Sequence, residues 1–373
     1  MQQQRRLIWL DVAKGLSILW VVYFHFFRTY FEHESLAPAD WHSVGASIIS
    51  FLGIAWLQVS GLALHSVSVF ITLSGWALMQ STARRAAAGE LSWLGWYRTR
   101  LLRLYPMYWM AHLVYLLSPF VARWEPVDRR IILSLLGLRF IDIDVNFFYL
   151  NASWWFFCML IQFYVAFPLL FWLAQRLGPW LFLLLACAAG FYVRYLMLIV
   201  WGSNGDWIQG GFAASRLPEF ALGMSLAMWR SRAPERCDWF FLRGPGLIAT
   251  LLLYPAALQL YRNGFTYIFV DFACGVCCLL LILGVSGFLS RIPKIAFVLA
   301  LVGTYSYGIF LTHQPYVIWL GFHVRWAPIW LFLFIIVPLT LAVISAWGIA
   351  LEKPTNALVQ WLTRRRVKQA IAQ

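Results

Sequence analysis

Membrane-length apolar segments recur along the whole chain and limit the possible fold more than any other feature. About twenty apolar residues let an α-helix cross the hydrocarbon core of a bilayer. The composition agrees, since 62% of residues are hydrophobic and 12% are charged, which excludes a soluble globular protein. We therefore predict an all-α, polytopic integral membrane protein with about ten transmembrane helices, near 7–27, 60–80, 104–121, 147–173, 180–201, 212–229, 246–261, 265–288, 295–320 and 328–350.

The basic residues are distributed unevenly between the predicted loops. With the N-terminus inside, nineteen Lys and Arg residues fall in inner segments and seven in outer segments. Cytoplasmic loops are enriched in Lys and Arg, so we predict that both termini are inside. The net charge of +14 follows largely from this bias and requires no nucleic-acid partner. We expect one transmembrane domain over 1–373, with a basic cytoplasmic tail at about 352–373 that contacts membrane lipid.

The first predicted helix carries three ionisable side chains that hydrocarbon should exclude: Asp11, Lys14 and His25. An Asp or Lys at a helix centre costs about 2.5–3.5 kcal/mol on insertion scales, so a simple anchor would have no reason to carry them. The spacing of Lys14 and His25 returns to within about 20° of one helix face, with about 16 Å between them along the axis. This face predicts an active site.

Short motifs spread over nearly the whole chain form a recognisable series. They are LDVAKGLSILWVVYFH (10–25), VFITLSGWALM (69–79), YRTRLLRLYPMYW (97–109), RLPEFALGM (216–224), YSYGIFLTHQPY (305–316) and, in part, WWFFCMLIQFYVAFP (154–168). In order and spacing the series resembles acyltransferase family 3. The members of this family are membrane O-acyltransferases that modify sugars of surface polysaccharides, lipid-linked glycans and some small metabolites.

The chain departs from the family pattern at two positions. Lys14 stands where the family has Arg, which keeps the charge but loses the planar, bidentate fork of a guanidinium. Leu160, four residues before Tyr164, stands where many members have Glu. Glu219 or Asp271 could supply the missing carboxylate.

The resemblance implies catalytic roles for two histidines. His25, whose imidazole ordinarily titrates near pH 6.5, suits a general base or a residue that carries the acyl group itself. An interfacial histidine bonded to a backbone carbonyl is the alternative. His313 lies in an HQP segment, where we expect Pro315 to break the helix and free carbonyl groups. His313 is either a second catalytic group or a hydrogen-bonding residue at that break.

Four cations match the family's donor-binding positions: Lys14, Arg98, Arg100 and Arg103. The implied donor is acyl-CoA, with acetyl-CoA expected, because its phosphates need cations and it is cytosolic. Topology alone is the alternative explanation for the arginines. We expect no bound cofactor, and no metal site because the histidines lack metal-ligand spacing.

Six further residues in the motifs are predicted to support the site: Asp11, Ser74, Gly75, Tyr164, Arg216 and Glu219. Arg216 and Glu219, at i and i+3, are more simply a structural ion pair. Ser74 could bond a substrate or a neighbouring helix, and Gly75 could serve helix packing.

Polar and aromatic residues near the predicted outer face have two interpretations. We expect the long side chain of Arg194 to reach the outer interface. Asn151, Trp154 and Trp155 could stack on sugar faces, but an aromatic belt at the interface explains the tryptophans equally well.

Taken with the resemblance, these features predict a membrane O-acyltransferase of the bacterial cytoplasmic (inner) membrane. The expected reaction moves an acyl group, acetyl in the simplest case, from acyl-CoA to a sugar hydroxyl of a lipid-linked or exported glycan. A transporter or flippase is one alternative, since intramembrane charges can line a path, but no internal repeat supports it. A catalytically inactive scaffold is the other.

Overall fold

The computed structural model describes residues 7–31, 65–120, 126–203 and 205–371, and every regular element in these ranges is helical. The all-α prediction is confirmed for these residues. The principal helices are α1 Ile8–Phe31, α2 Ser66–Ala87, α3 Trp93–Leu117, α4 Arg130–Leu136, α5 Trp155–Leu177, α6 Pro179–Tyr195, α7 Leu217–Arg232, α8 Pro234–Leu242, α9 Pro245–Gln259, α10 Val270–Leu289, α11 Pro293–Thr304, α12 Ser306–His323 and α13 Val337–Ile371.

The described residues contain five helical segments that are long and apolar enough to cross a membrane. Two bent helix pairs raise the number to seven if each pair forms one span. The protein is therefore a multi-pass membrane protein, whereas the count of about ten spans and the location of the termini stay predictions. The five segments are Ile8–Tyr30, Ala152–Leu177, Pro179–Val200, Thr266–Leu289 and Ile329–Trp361.

Glycine allows the two closest helix crossings. A Cβ on Gly303 of α11 would collide with the carbonyl oxygen of Asp11 on α1, so these backbones are in direct contact. At the crossing of α2 and α7, Gly75 and Gly223 face the carbonyls of Phe220 and Thr72 in the same manner. Without a hydrophobic driving force in lipid, such close backbone packing is what joins membrane helices. It holds α1 against α11 and α2 against α7.

The segment predicted as one span at 295–320 is divided. Helices α11 and α12 meet at Tyr305 with a bend of 77°. The first turn of α12 has free backbone N–H groups, and one of them, from Gly308, donates to Oε2 of Glu352 on α13 at 2.7 Å. This buried carboxylate caps the helix and stabilises the bend.

Pro315 lies inside α12 and does not end it, so the expected helix break at this residue is wrong. Because proline has no N–H, it leaves the carbonyl of Leu311 without its helical donor. Two side chains replace that donor: Asn151 Nδ2 at 3.1 Å and Trp154 Nε1 at 2.8 Å. Trp154 is fully buried. These two residues therefore complete the helix and do not present faces to a sugar.

Candidate active site

Two cavities open along the same side of α1. The larger, of about 640 Å³, is lined by His25 and Arg28 and is called the His25 cavity. The smaller, of about 200 Å³, is lined by Asp11 and Lys14 and is called the Lys14 cavity. The helical rise places the two cavities about 16 Å apart along α1. Residues of the polar face predicted from the sequence thus line two different cavities.

The His25 cavity brings the two predicted catalytic histidines together. The ring centroids of His25 on α1 and His313 on α12 are 5.3 Å apart. His25 faces the cavity, whereas His313 lies behind it and is fully buried. His313 Nδ1 is 2.7 Å from the carbonyl oxygen of Phe310. Because a carbonyl only accepts, Nδ1 carries the proton and Nε2 is the acceptor when the ring is neutral.

An ion cluster borders the His25 cavity through Arg216 and Asp271. Asp271 on α10 accepts from Arg194 at 2.9 Å and from Arg216 at 2.8 Å, and Arg216 lies 3.2 Å from Glu219. The predicted Arg216–Glu219 ion pair is confirmed. The prediction for Arg194 is wrong, since its side chain is 2% exposed and paired. Two guanidinium groups and two carboxylates neutralise one another, which is the condition for burying them.

A histidine lies beside Asp271 and is hydrogen-bonded in turn to a tyrosine. His65 Nδ1 is 3.8 Å from Asp271 Oδ1, and His65 Nε2 is 2.8 Å from the Tyr261 hydroxyl. Helices distant in sequence therefore meet at one carboxylate. No local sequence pattern indicated this, because the partners share neither helix nor motif.

The Lys14 cavity gathers three of the four predicted donor-binding cations. Lys14, Arg100 and Arg103 line it, and Tyr164 and Ser74 complete that wall. Lys14 Nζ is 3.6 Å from Asp11 Oδ1, and Arg100 Nη2 donates to Ser81 Oγ at 2.6 Å. The cavity therefore concentrates positive charge with one neutralising carboxylate among its lining residues.

Arg98 is not part of this group. It lies on α3 with Arg100 and Arg103, but its side chain is exposed and lines neither cavity. Two residues along a helix turn a side chain by about 200°, so Arg98 and Arg100 face different sides. Arg98 therefore does not share the Lys14 cavity with the other three cations, and a role for it in donor binding stays a prediction.

Three phenylalanine rings pack together beside the two cavities. Phe310 of α12 lines both, whereas Phe70 of α2 and Phe156 of α5 line the Lys14 cavity. The centroid of Phe310 is 4.9 Å from that of Phe156 and 6.2 Å from that of Phe70. These three residues are called the phenylalanine partition. Because Phe310 belongs to both linings, the partition lies where the two cavities adjoin.

A family model described as an acyltransferase domain, that of acyltransferase family 3, matches residues 7–348. The chain belongs to acyltransferase family 3. It is therefore a membrane acyltransferase. No curated protein and no solved structure matches the chain significantly. The matched range contains both cavities and the phenylalanine partition.

In this acyltransferase, Leu160 lines the Lys14 cavity at the position where many family members have Glu. Asp271 lines the other cavity, and Glu219 is paired with Arg216, so neither replaces the missing carboxylate in space. The suggestion that one of them does is wrong. Asp11 is the carboxylate among the residues that line the Lys14 cavity.

Ser74 and Gly75 of the acyltransferase have different positions. Ser74 lines the Lys14 cavity, whereas Gly75 contacts the backbone of α7. The helix-packing interpretation therefore fits the geometry of Gly75, and a substrate contact stays a prediction for Ser74. In the described part of the chain, no three His, Cys, Asp or Glu side chains lie close enough to hold a metal ion.

Proposed function

We propose that this acyltransferase moves an acyl group from cytosolic acyl-CoA to a sugar hydroxyl of a surface or exported glycan. Acetyl-CoA is the simplest donor. We place the protein in the bacterial cytoplasmic membrane, with about ten spans and both termini inside. The observation that carries the proposal is that Lys14 and His25 line two different cavities on one side of α1.

The Lys14 cavity is proposed as the donor site. Its three cations, Lys14, Arg100 and Arg103, match the phosphates of coenzyme A in charge. Guanidinium groups form strong, bidentate hydrogen bonds to phosphate, and an ammonium adds a point charge. With both termini inside, these residues lie toward the cytosol, where acyl-CoA is available.

The distance between the cavities suits this donor. Lys14 and His25 are separated by about 16 Å along α1, and an extended pantetheine arm is a chain of comparable length. A donor whose phosphates remain in the Lys14 cavity can thus present its thioester to His25. To do so it must displace the rings of the phenylalanine partition.

The His25 cavity is proposed as the acceptor site and the place of the chemistry. His25 takes the proton from the sugar hydroxyl as its oxygen attacks the thioester carbonyl carbon. The carbon–sulfur bond then breaks, and the proton passes to the departing coenzyme A thiolate. Acylation of the His25 imidazole, followed by transfer to the sugar, is the two-step alternative.

The test uses purified protein in lipid vesicles with radiolabelled acetyl-CoA and a panel of glycan acceptors. Wild-type protein should consume the thioester, and His25→Ala should lower the rate by about 100-fold or more. His323→Ala is the matched control, because this exposed histidine of α12 lines neither cavity. Activity that persists in His25→Ala would support the proposed acyltransferase function but overturn the proposed role of His25. An inactive wild type with every donor would favour a transporter or a scaffold.

A further inference from the structure

One ridge of α12 forms a wall of the His25 cavity. Its members repeat every four residues, the spacing that aligns side chains on one helix face: Phe310, Gln314, Ile318 and Phe322. Three of the four side chains are apolar. Gln314 is thus a lone amide on an apolar wall.

The side-chain oxygen of Gln314 lacks a hydrogen-bond partner among the described residues. The residue is 8% exposed, and its Oε1 is buried without a hydrogen-bond partner in the described part of the chain. A buried polar atom that lacks a partner costs about 1–3 kcal/mol. Buried amides are nearly always paired, so the partner of Gln314 Oε1 is expected in the cavity that this residue lines, as a water or as a ligand that displaces it.

The position of Gln314 relates this amide to the reacting group. Gln314 follows His313, whose ring lies beside that of His25. Both His25 and Gln314 line the same cavity, from the neighbouring helices α1 and α12. A ligand held by this amide therefore occupies the same cavity as His25.

The surrounding chain cannot easily satisfy the amide by rearrangement. Ser153, which also lines the cavity, already shares its one hydroxyl proton between the carbonyl of Phe310 and Asn151 Oδ1. Asn151 in turn donates to the Leu311 carbonyl. These bonds hold the backbone of α12 one turn before Gln314.

We propose that Gln314 is the residue that holds the acceptor sugar in the His25 cavity. When the amide turns about its last side-chain torsion, Oε1 accepts a hydrogen bond from one hydroxyl and Nε2 donates to the neighbouring oxygen of a vicinal diol. An amide offers a donor and an acceptor side by side, which matches two adjacent sugar oxygens. This inference rests on the proposed function, since it names how that function's acceptor is bound.

The experiment compares wild type with Gln314→Met, which keeps the length of the side chain and removes both hydrogen bonds. Radiolabelled methyl glycosides of glucose, galactose and mannose are the probes, and their dissociation constants are measured by equilibrium dialysis without donor. The loss of two neutral hydrogen bonds should weaken binding of the preferred glycoside by about tenfold. In transfer assays KM for that glycoside should rise by a larger factor than kcat falls.

Two further variants separate this role from a structural one. Gln314→Glu keeps the accepting oxygens and should lose less affinity than Gln314→Met. Gln259→Met makes the same change at an exposed glutamine of α9 and should bind glycoside as wild type does.

The glycoside-binding measurements have three informative outcomes. Weakened glycoside binding in Gln314→Met alone supports the inference. Equal glycoside binding by wild type and Gln314→Met overturns it and leaves the proposed function intact. If the wild type consumes acetyl-CoA but binds none of the glycosides, the inference and the glycan acceptor both fail.

Discussion

The imidazole of His25 lies 5.3 Å from that of His313, with the two ring planes inclined at 45°. His313 is held in place by its bond to the Phe310 carbonyl. The carbonyl freed by Pro315 belongs to Leu311 and is satisfied by Asn151 and Trp154, so His313 is not needed at that position. This arrangement favours a role for His313 behind His25, as a positioning residue.

His313→Gln should therefore lower kcat by about tenfold or more while KM for the donor stays unchanged, because proton transfer depends on the alignment of His25. The measurement is steady-state thioester consumption in vesicles. The thermal midpoint of each preparation reports folding. A normal kcat with a lowered thermal midpoint would assign His313 to helix structure alone.

Arg103→Ala should raise KM for acetyl-CoA by about tenfold, because a hydrogen bond to a charged group contributes about 1.5–3 kcal/mol. Arg98→Ala is the matched control, since Arg98 is on the same helix but outside the Lys14 cavity. Donor titrations at low and high salt measure both variants. Equal effects of the two substitutions would show that general positive charge, and not the cavity, attracts the donor.

Asp271→Ala should destabilise the protein by about 3–5 kcal/mol, because two buried guanidinium groups lose their shared carboxylate. Thermal unfolding in detergent measures the loss. Adding Arg194→Met to Asp271→Ala should recover part of it by removing one unpaired charge. Asp128→Ala, at an exposed ion pair with Arg130, should leave the thermal midpoint unchanged. A double variant less stable than Asp271→Ala would contradict this account.

Gly303→Ala should destabilise the contact between α11 and α1 by about 1–3 kcal/mol, since the added methyl group overpacks a close backbone crossing. The carbonyl of Asp11 is the group it would meet. Unfolding of the purified protein measures the change. Gly264→Ala places a methyl group in open space and serves as the control. If Gly303→Ala has the same unfolding midpoint as wild type, α11 and α1 can move apart enough to accept the methyl group without a loss of stability.

Phe156→Ala combined with Phe310→Ala should make vesicles leak protons, because narrow apolar constrictions block water and ions until they are widened. A pH-sensitive dye trapped in the vesicles measures the leak. Phe163→Ala, on α5 but stacked on Phe220 and lining neither cavity, is the control. Vesicles that stay tight with the double variant would show that another barrier separates the cavities.

Much of the site could be predicted from local sequence. The helical period alone places Lys14 and His25 on one face of α1, and no knowledge of distant contacts is needed to predict it. The same reasoning identified the Arg216–Glu219 pair, whose members are one turn apart. It did not distinguish Arg98 from Arg100 and Arg103, because the motif that contains them gives no sign of which side of α3 meets the Lys14 cavity.

Contacts between distant segments required the tertiary structure. The charged partners of Asp271 come from three separate parts of the chain, and the phenylalanine partition comes from three helices. The sequence by itself determined a membrane protein with charged residues on one helix, since hydrophobic length and helical period are local properties. Only the packing of α1 against α2, α11 and α12 decided that these charges serve two cavities, because packing depends on residues far apart in sequence.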